Sequence, residues 1–133
     1  MINNLMSDIK WDDRGLVTVV VQDYQSGKVL MVAWANEEAI IKSFEGGRAC
    51  FWSRSRRALW LKGETSGHYQ LIKDIYLDCD GDSLVFKVEQ VGDIACHTGR
   101  NTCFYKRLDV DKDQWINNES VIKDEKDIYG KHG

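Results

Sequence analysis

The stretch LVTVVVQD, from Leu16 to Asp23, decides the fold class of this chain. Its unbroken β-branched run, Val17 to Val21, favours an extended strand over a helix. Gln25-Ser26-Gly27 then supplies a turn, and Lys28 to Trp34 reads as the hairpin partner. Working outward, Asn36 ahead of Glu37 and Glu38 is an N-cap with acids in the first turn. Ala39, Ile40 and Phe44 supply an apolar face, and Gly46-Gly47 stops the helix. Ala49 to Trp52 and Ala58 to Leu61 read as strands around a basic turn, Ser53-Arg54-Ser55-Arg56-Arg57. Leu71 to Cys79 and Ser83 to Val91 read as a second pair about the tight turn Asp80-Gly81-Asp82. The expectation is an α+β protein, mainly antiparallel β-sheet with one or two short helices.

At 133 residues, with 43% hydrophobic and 29% charged, the chain has the make-up of one globular domain over residues 1–133. Its core is expected over about residues 10–108, followed by a charged tail, 109–133, with helical character near its end. No apolar run approaches the roughly 20 residues of a membrane helix, and MINNLMSDIKWDD is too polar for a signal peptide. The expected location is therefore cytoplasmic, with no membrane partner. A net charge of −3 argues against a protein that coats long polyanions. In a reducing compartment Cys50, Cys79, Cys96 and Cys103 are thiols: core, reactive or metal-ligating.

The densest chemistry lies at Asp78-Cys79-Asp80-Gly81-Asp82. If strand alternation continues through it, Asp78 and Asp80 face one side and Cys79 the other, with Asp82 rejoining the carboxylates. Hard carboxylates suit magnesium, calcium or manganese, whereas a thiolate suits zinc, so the pattern hints at two sites. Cys96 and Cys103 bound a glycine-containing loop able to fold around an ion. Three cysteines with a nearby histidine leave a position open for chemistry. The alternative is that these are buried thiols packing as small hydrophobes.

Two other classes start from the same residues. Asp78, Asp80, Asp82, Val85 and Glu89 fall at positions 1, 3, 5, 8 and 12 of a calcium-binding EF-hand loop, with a second near-match from Asp109. Both loops lack the glycine of position 6, where Ser83 and Gln114 stand. The exit Leu84-Val85-Phe86-Lys87-Val88 also favours a strand over the required helix. Arg48, Arg54, Arg56, Arg57 and Lys62 among Phe51, Trp52 and Trp60 could stack bases and bind phosphates. In a net acidic chain that cluster fits a small phosphorylated ligand better than a nucleic acid strand. Thr65 and Ser66, in the Gly63–Gly67 loop, add hydroxyls and free amides for phosphate oxygens.

Taken together, Trp52-Ser53-Arg54-Ser55-Arg56, Leu59-Trp60-Leu61-Lys62-Gly63-Glu64-Thr65-Ser66-Gly67-His68, Asp78-Cys79-Asp80-Gly81-Asp82 and Cys96-His97-Thr98-Gly99 resemble, in order and spacing, the phosphoribosyl-AMP cyclohydrolases of histidine biosynthesis. The resemblance spans about residues 10 to 108. It implies an intertwined homodimer in which Asp78, Asp80 and Asp82 bind Mg2+. It also implies Zn2+ held between subunits, by Cys79 of one chain and Cys96 and Cys103 of the other. The implied substrate is N1-(5-phosphoribosyl)-AMP, whose cationic adenine is attacked by water at carbon 6 and opened at the bond to nitrogen 1. His97 is the expected base and His68 the competing one. Arg54, Arg56, Lys62, Thr65 and Ser66 are expected to hold the substrate. Cys50 matches no ligand of the family and reads as a core thiol. The chain departs from the family pattern at Asp93-Ile94-Ala95, where a proline is usual, and at Asn101-Thr102, where a basic residue and a serine are usual. Those departures bear on loop conformation and one phosphate contact. The fused pyrophosphohydrolase domain common in the family is not expected within this sequence.

Overall fold

In a computed structural model of the chain, which describes residues 2–129, β1 (Val17–Asp23) and β2 (Val29–Ala35) form the expected hairpin, with Val19 opposite Ala33. β5 (Gln70–Leu77) and β6 (Ser83–Gln90) form the second antiparallel pair, with Tyr76 opposite Val85. The two hairpins join through β1 and β6, which run parallel with Val19 beside Leu84, to give the order β2-β1-β6-β5. The sheet is therefore mixed at its centre and antiparallel on both flanks. Parallel neighbours need a long crossover, and residues 36–69 supply it between β2 and β5. Alternate residues of β1 and β6 point to one face, where Val19, Val21, Phe86 and Val88 are fully buried.

The crossover begins with α2 (Glu37–Gly46). The Asn36 side-chain Oδ1 accepts from the Ala39 N–H at 2.9 Å, and Gly47, at φ +73°, returns its N–H to the Ser43 carbonyl at 3.0 Å. Ala39 and Ile40 are buried as expected, but Phe44 is 56% exposed and lines an open groove with Leu5 and Leu77. Ser43 takes the inward place instead. Its hydroxyl accepts from the Cys50 N–H at 2.8 Å, which locks α2 to β3 (Cys50–Ser53). β3 pairs antiparallel with β4 (Ala58–Leu61), and Cys50 is 5% exposed in the core, as read from the sequence.

Three elements were not expected. α1 (Ile2–Ser7) caps the core through Met6. The tail holds a hairpin, β7 (Lys106–Asp109) with β8 (Gln114–Asn117), before the helical turn α3 (Glu125–Tyr129). Residues 130–133 of the expected 109–133 tail lie outside the described residues. The calcium-hand alternative is overturned: residues 83–90 are strand β6, and the second near-match is the turn and return strand of the β7–β8 hairpin. Neither loop is followed by the exiting helix that an EF-hand requires. Among the described residues no helix is long and apolar enough to cross a membrane.

Candidate active site

Beyond β6 the chain makes a 3-10 turn, Val91–Asp93, and then a narrow loop closed by Cys96 N–H to the Arg100 carbonyl at 3.1 Å and Gly99 N–H to the Cys96 carbonyl at 2.9 Å. Cys103 N–H donates to the Leu30 carbonyl at 2.7 Å, which ties the loop's far end to β2. These bonds set the Cys96 and Cys103 thiols side by side. The Cys103 residue as a whole is exposed, but its thiol is crowded on the Cys96 side. Desolvation first, then the charge of Cys96 and a hydrogen bond to it, push the Cys103 pKa up to about 12. Thr98 Oγ1 donates to Cys96 Sγ at 3.1 Å.

Lys62 completes this corner. It is 7% exposed, and its Nζ donates to the Ala95 carbonyl at 2.6 Å. Burial lowers the ammonium pKa, with the nearby charges of Cys103 and Cys96 opposing that shift. Lys62 thus faces the thiol pair from inside the protein.

The acidic turn is organised differently from a strand. β5 ends at Leu77, so alternation does not extend through residues 78–82, and the expected separation of Cys79 from the carboxylates is overturned. Cys79 Sγ donates to Asp80 Oδ1 at 2.9 Å. Asp78 Oδ1 accepts the Asp82 N–H at 3.0 Å and the Ser83 N–H at 3.3 Å. Desolvation opposes the Asp78 charge, but the Asp82 carboxyl and these backbone donors outweigh it and hold the Asp78 pKa below its usual value. Its hydrogen bond and negative charge raise that of Asp82. Two neighbouring carboxyls that oppose each other's charge are a donor set that a hard divalent cation would suit. The two neighbouring thiols are likewise half of a soft tetrahedral site. Among the described residues, no three His, Cys, Asp or Glu side chains of one copy come together as a metal-holding group.

His97 is exposed on the loop beside Cys96. His68 is half-buried at the other side of the corner, its ring lying against Gly92. A Cβ on Gly92 would come within 2.7 Å of the His68 ring, so glycine is required for that ring position. Burial, then the charges of Lys123 and Lys62, depress the His68 pKa. Its backbone is held by the Gln90 side chain, whose Nε2 donates to the His68 carbonyl at 3.0 Å.

The expected substrate-binding residues divide between two cavities. Lys62, Thr65 and Ser66 border a small one of about 90 Å³ together with Trp60. Arg54 lies in a larger cleft of about 480 Å³, which Trp60 also borders, and its guanidinium stacks on the Trp34 ring at 3.4 Å. Arg56 is exposed and turned back on Ser53 Oγ, which accepts its backbone N–H at 3.2 Å. Sequence reasoning missed Arg14 and Trp34, which line the Arg54 cleft from β1's approach and from β2. Only the fold brings residues so distant in sequence to one wall.

Comparison with known proteins settles the family. The family model described as phosphoribosyl-AMP cyclohydrolase matches residues 31–105. The chain belongs to the phosphoribosyl-AMP cyclohydrolase family. It is 53% identical over 131 residues to the phosphoribosyl-AMP cyclohydrolase of Nitrosospira multiformis, covering 98% of this chain and 99% of the relative. It is 52% identical over 124 residues to that of Chromobacterium violaceum, covering 93% and 92%, and 49% identical over 130 residues to that of Neisseria gonorrhoeae, covering 98% of each. The match for the cyclohydrolase family takes in Trp34, the hydroxyl loop, the acidic turn and both loop cysteines, whereas Arg14 and the 119–129 segment lie outside it.

Proposed function

We infer that the chain catalyses the hydrolytic opening of the adenine ring of N1-(5-phosphoribosyl)-AMP between nitrogen 1 and carbon 6, in histidine biosynthesis in the cytoplasm. The observation that carries this reading is the Cys96–Cys103 thiol pair set against buried Lys62, one wall away from the Thr65–Ser66 loop, in a chain of this family. We read the chain as one catalytic domain with its core near residues 10–108, acting as a homodimer without nucleic acid or membrane partners.

Cys79, Cys96 and Cys103 would hold zinc, and Asp78, Asp80 and Asp82 would hold magnesium. Cys79 is exposed in the acidic turn, and among the described residues no third ligand side chain joins the thiol pair within one copy, which supports its serving the pair of a second copy. Zinc, when bound, supplies a Lewis acid that brings the ionisation of water toward neutral pH. His97 takes the proton of the attacking water and returns it to nitrogen 1 as the ring bond breaks, while the remaining hydroxyl proton is released to solvent, leaving carbon 6 as a carboxamide. His68, whose pKa is depressed by burial and then by the charges of Lys123 and Lys62, is the second candidate for that transfer. Lys62, bound to the Ala95 carbonyl, holds the loop that carries Cys96 and His97. Thr65, Ser66 and Lys62, which border one cavity, hold one phosphate, and Arg54 with Arg56 holds the other.

Protomer complementation tests the shared site. Cys79→Ser and Cys103→Ser should each lose zinc and turnover. A co-refolded mixture should recover about a quarter of wild-type turnover, because half of the dimers are mixed and each of those has one intact site. No recovery from folded, mixed dimers would overturn the shared site.

A further inference from the structure

Residues 119–129 carry none of the chemistry assigned above, yet they lie across it. The Glu119 carbonyl accepts from Arg100 Nε at 3.1 Å, and its carboxylate meets Lys28 Nζ at 2.7 Å. The N–H groups of Ile122 and Lys123 both donate to the Gly99 carbonyl, at 2.8 and 3.3 Å. Gly99, in the cysteine loop at φ +85°, has no space for a side chain, since a Cβ there would collide with the Lys123 carbonyl oxygen. The chain then passes close enough to His68 for the Lys123 charge to act on it. Asp124 precedes α3, its Oδ1 accepting the Lys126 N–H at 2.9 Å, and the helix is anchored by Ile128, only 6% exposed. Tyr129 ends the segment at the cavity bordered by Trp60, Lys62, Thr65 and Ser66.

A charged tail gains little from burial and would remain solvated unless specific contacts held it. Here contacts run from the thiol loop to the hydroxyl loop. The cavity left beneath is about 90 Å³, whereas sites for nucleotide-sized ligands run upward from about 300 Å³. We propose that residues 119–129 form a strap over the nucleotide pocket, with Tyr129 as the wall that meets the phosphoribosyl group held at Thr65 and Ser66. The two ends of the strap differ. The Gly99 end is fixed by three hydrogen bonds and an ion pair, while the α3 end rests on one buried side chain, so α3 is the end that lifts to admit the ligand. This proposal rests on the nucleotide reading above for its ligand.

The test uses the full chain and two readouts. Tyr129 is 38% exposed, so Tyr129→Ala leaves the fold intact, and circular dichroism checks that it does. With N1-(5-phosphoribosyl)-AMP, Tyr129→Ala should raise KM about tenfold while kcat changes less than about twofold, because the contact is made equally in the ground and transition states. Tyr129→Phe should recover most of that loss. Unchanged KM in Tyr129→Ala would overturn the strap and leave the ring-opening activity standing. If the wild type opens no ring, the ring-opening reading fails, and hydrogen exchange with AMP as probe decides the strap by itself. Slowed exchange of amides 124–129 on adding millimolar AMP supports it, and unchanged exchange there overturns it.

Discussion

The buried pair Gln70 and Gln90 offers an asymmetry that can be measured. Gln90 Nε2 faces carbonyls of His68, Tyr69 and Val91, so its Oε1 must face Gln70, whose Nε2 donates to it at 2.8 Å. That arrangement leaves Gln70 Oε1 buried without a partner among the described residues. Gln90→Met would leave Gln70 Nε2 with only the Met31 sulfur, at 3.4 Å, and remove the side-chain donor to the His68 carbonyl. With a buried group left unpaired costing about 1–3 kcal/mol, the two together give an expected loss of about 2–6 kcal/mol, toward the low end because the Met31 sulfur remains as a weak acceptor. Gln70→Met removes one orphaned acceptor while creating another on Gln90, and should cost only about 0–1 kcal/mol, although Gln70 is the more deeply buried of the two. The double variant should be more stable than Gln90→Met alone, since it removes both partners together. Urea unfolding at fixed protomer concentration, with m-values compared, measures all three. Equal costs for the two single variants, or a double variant as destabilised as their sum, would refute the network as described.

Other expectations follow from single contacts. Asn36→Ala removes the acceptor for the Ala39 N–H and should cost about 1 kcal/mol by the same urea assay. His68 should titrate below its ordinary value in an NMR pH series, and Lys123→Gln should move it upward, because the Lys123 charge contributes to the depression. Since the native pKa lies below the unfolded one, the stability tied to neutral His68 is whole above the unfolded pKa. It declines as pH falls from there through the native pKa. His97→Ala should keep its zinc in a metal assay while losing roughly 100-fold or more in turnover; retained zinc with full turnover would remove His97 from the mechanism.

What could be read from the sequence was local. The 16–34 hairpin and α2 rest on β-branched runs, a capping asparagine and a terminating glycine, all within a few residues of one another. Phe44 was misjudged because helical spacing cannot say that a serine, bonded to the Cys50 backbone, takes the inward place. The faces of Asp78 to Asp82 were misjudged because β5 stops at Leu77, and alternation holds only while the strand lasts. The short α1 and the β7–β8 hairpin carry too few periodic residues to be read without their packing partners. The chemistry-bearing residue types were recognisable, but the burial of Lys62 was not, since lysine is ordinarily exposed and only the fold places Ala95 and the thiols around it. Arg14, Trp34 and Tyr129 belong to the pocket walls through contacts spanning most of the chain, which no spacing encodes.

The most direct measurement is mass spectrometry of N1-(5-phosphoribosyl)-AMP incubated with folded, zinc- and magnesium-supplied protein beside a chelator-treated sample. The account predicts a product heavier by one water in the metal-supplied sample alone. Unchanged substrate in both, from protein shown to be folded and zinc-loaded, would contradict it.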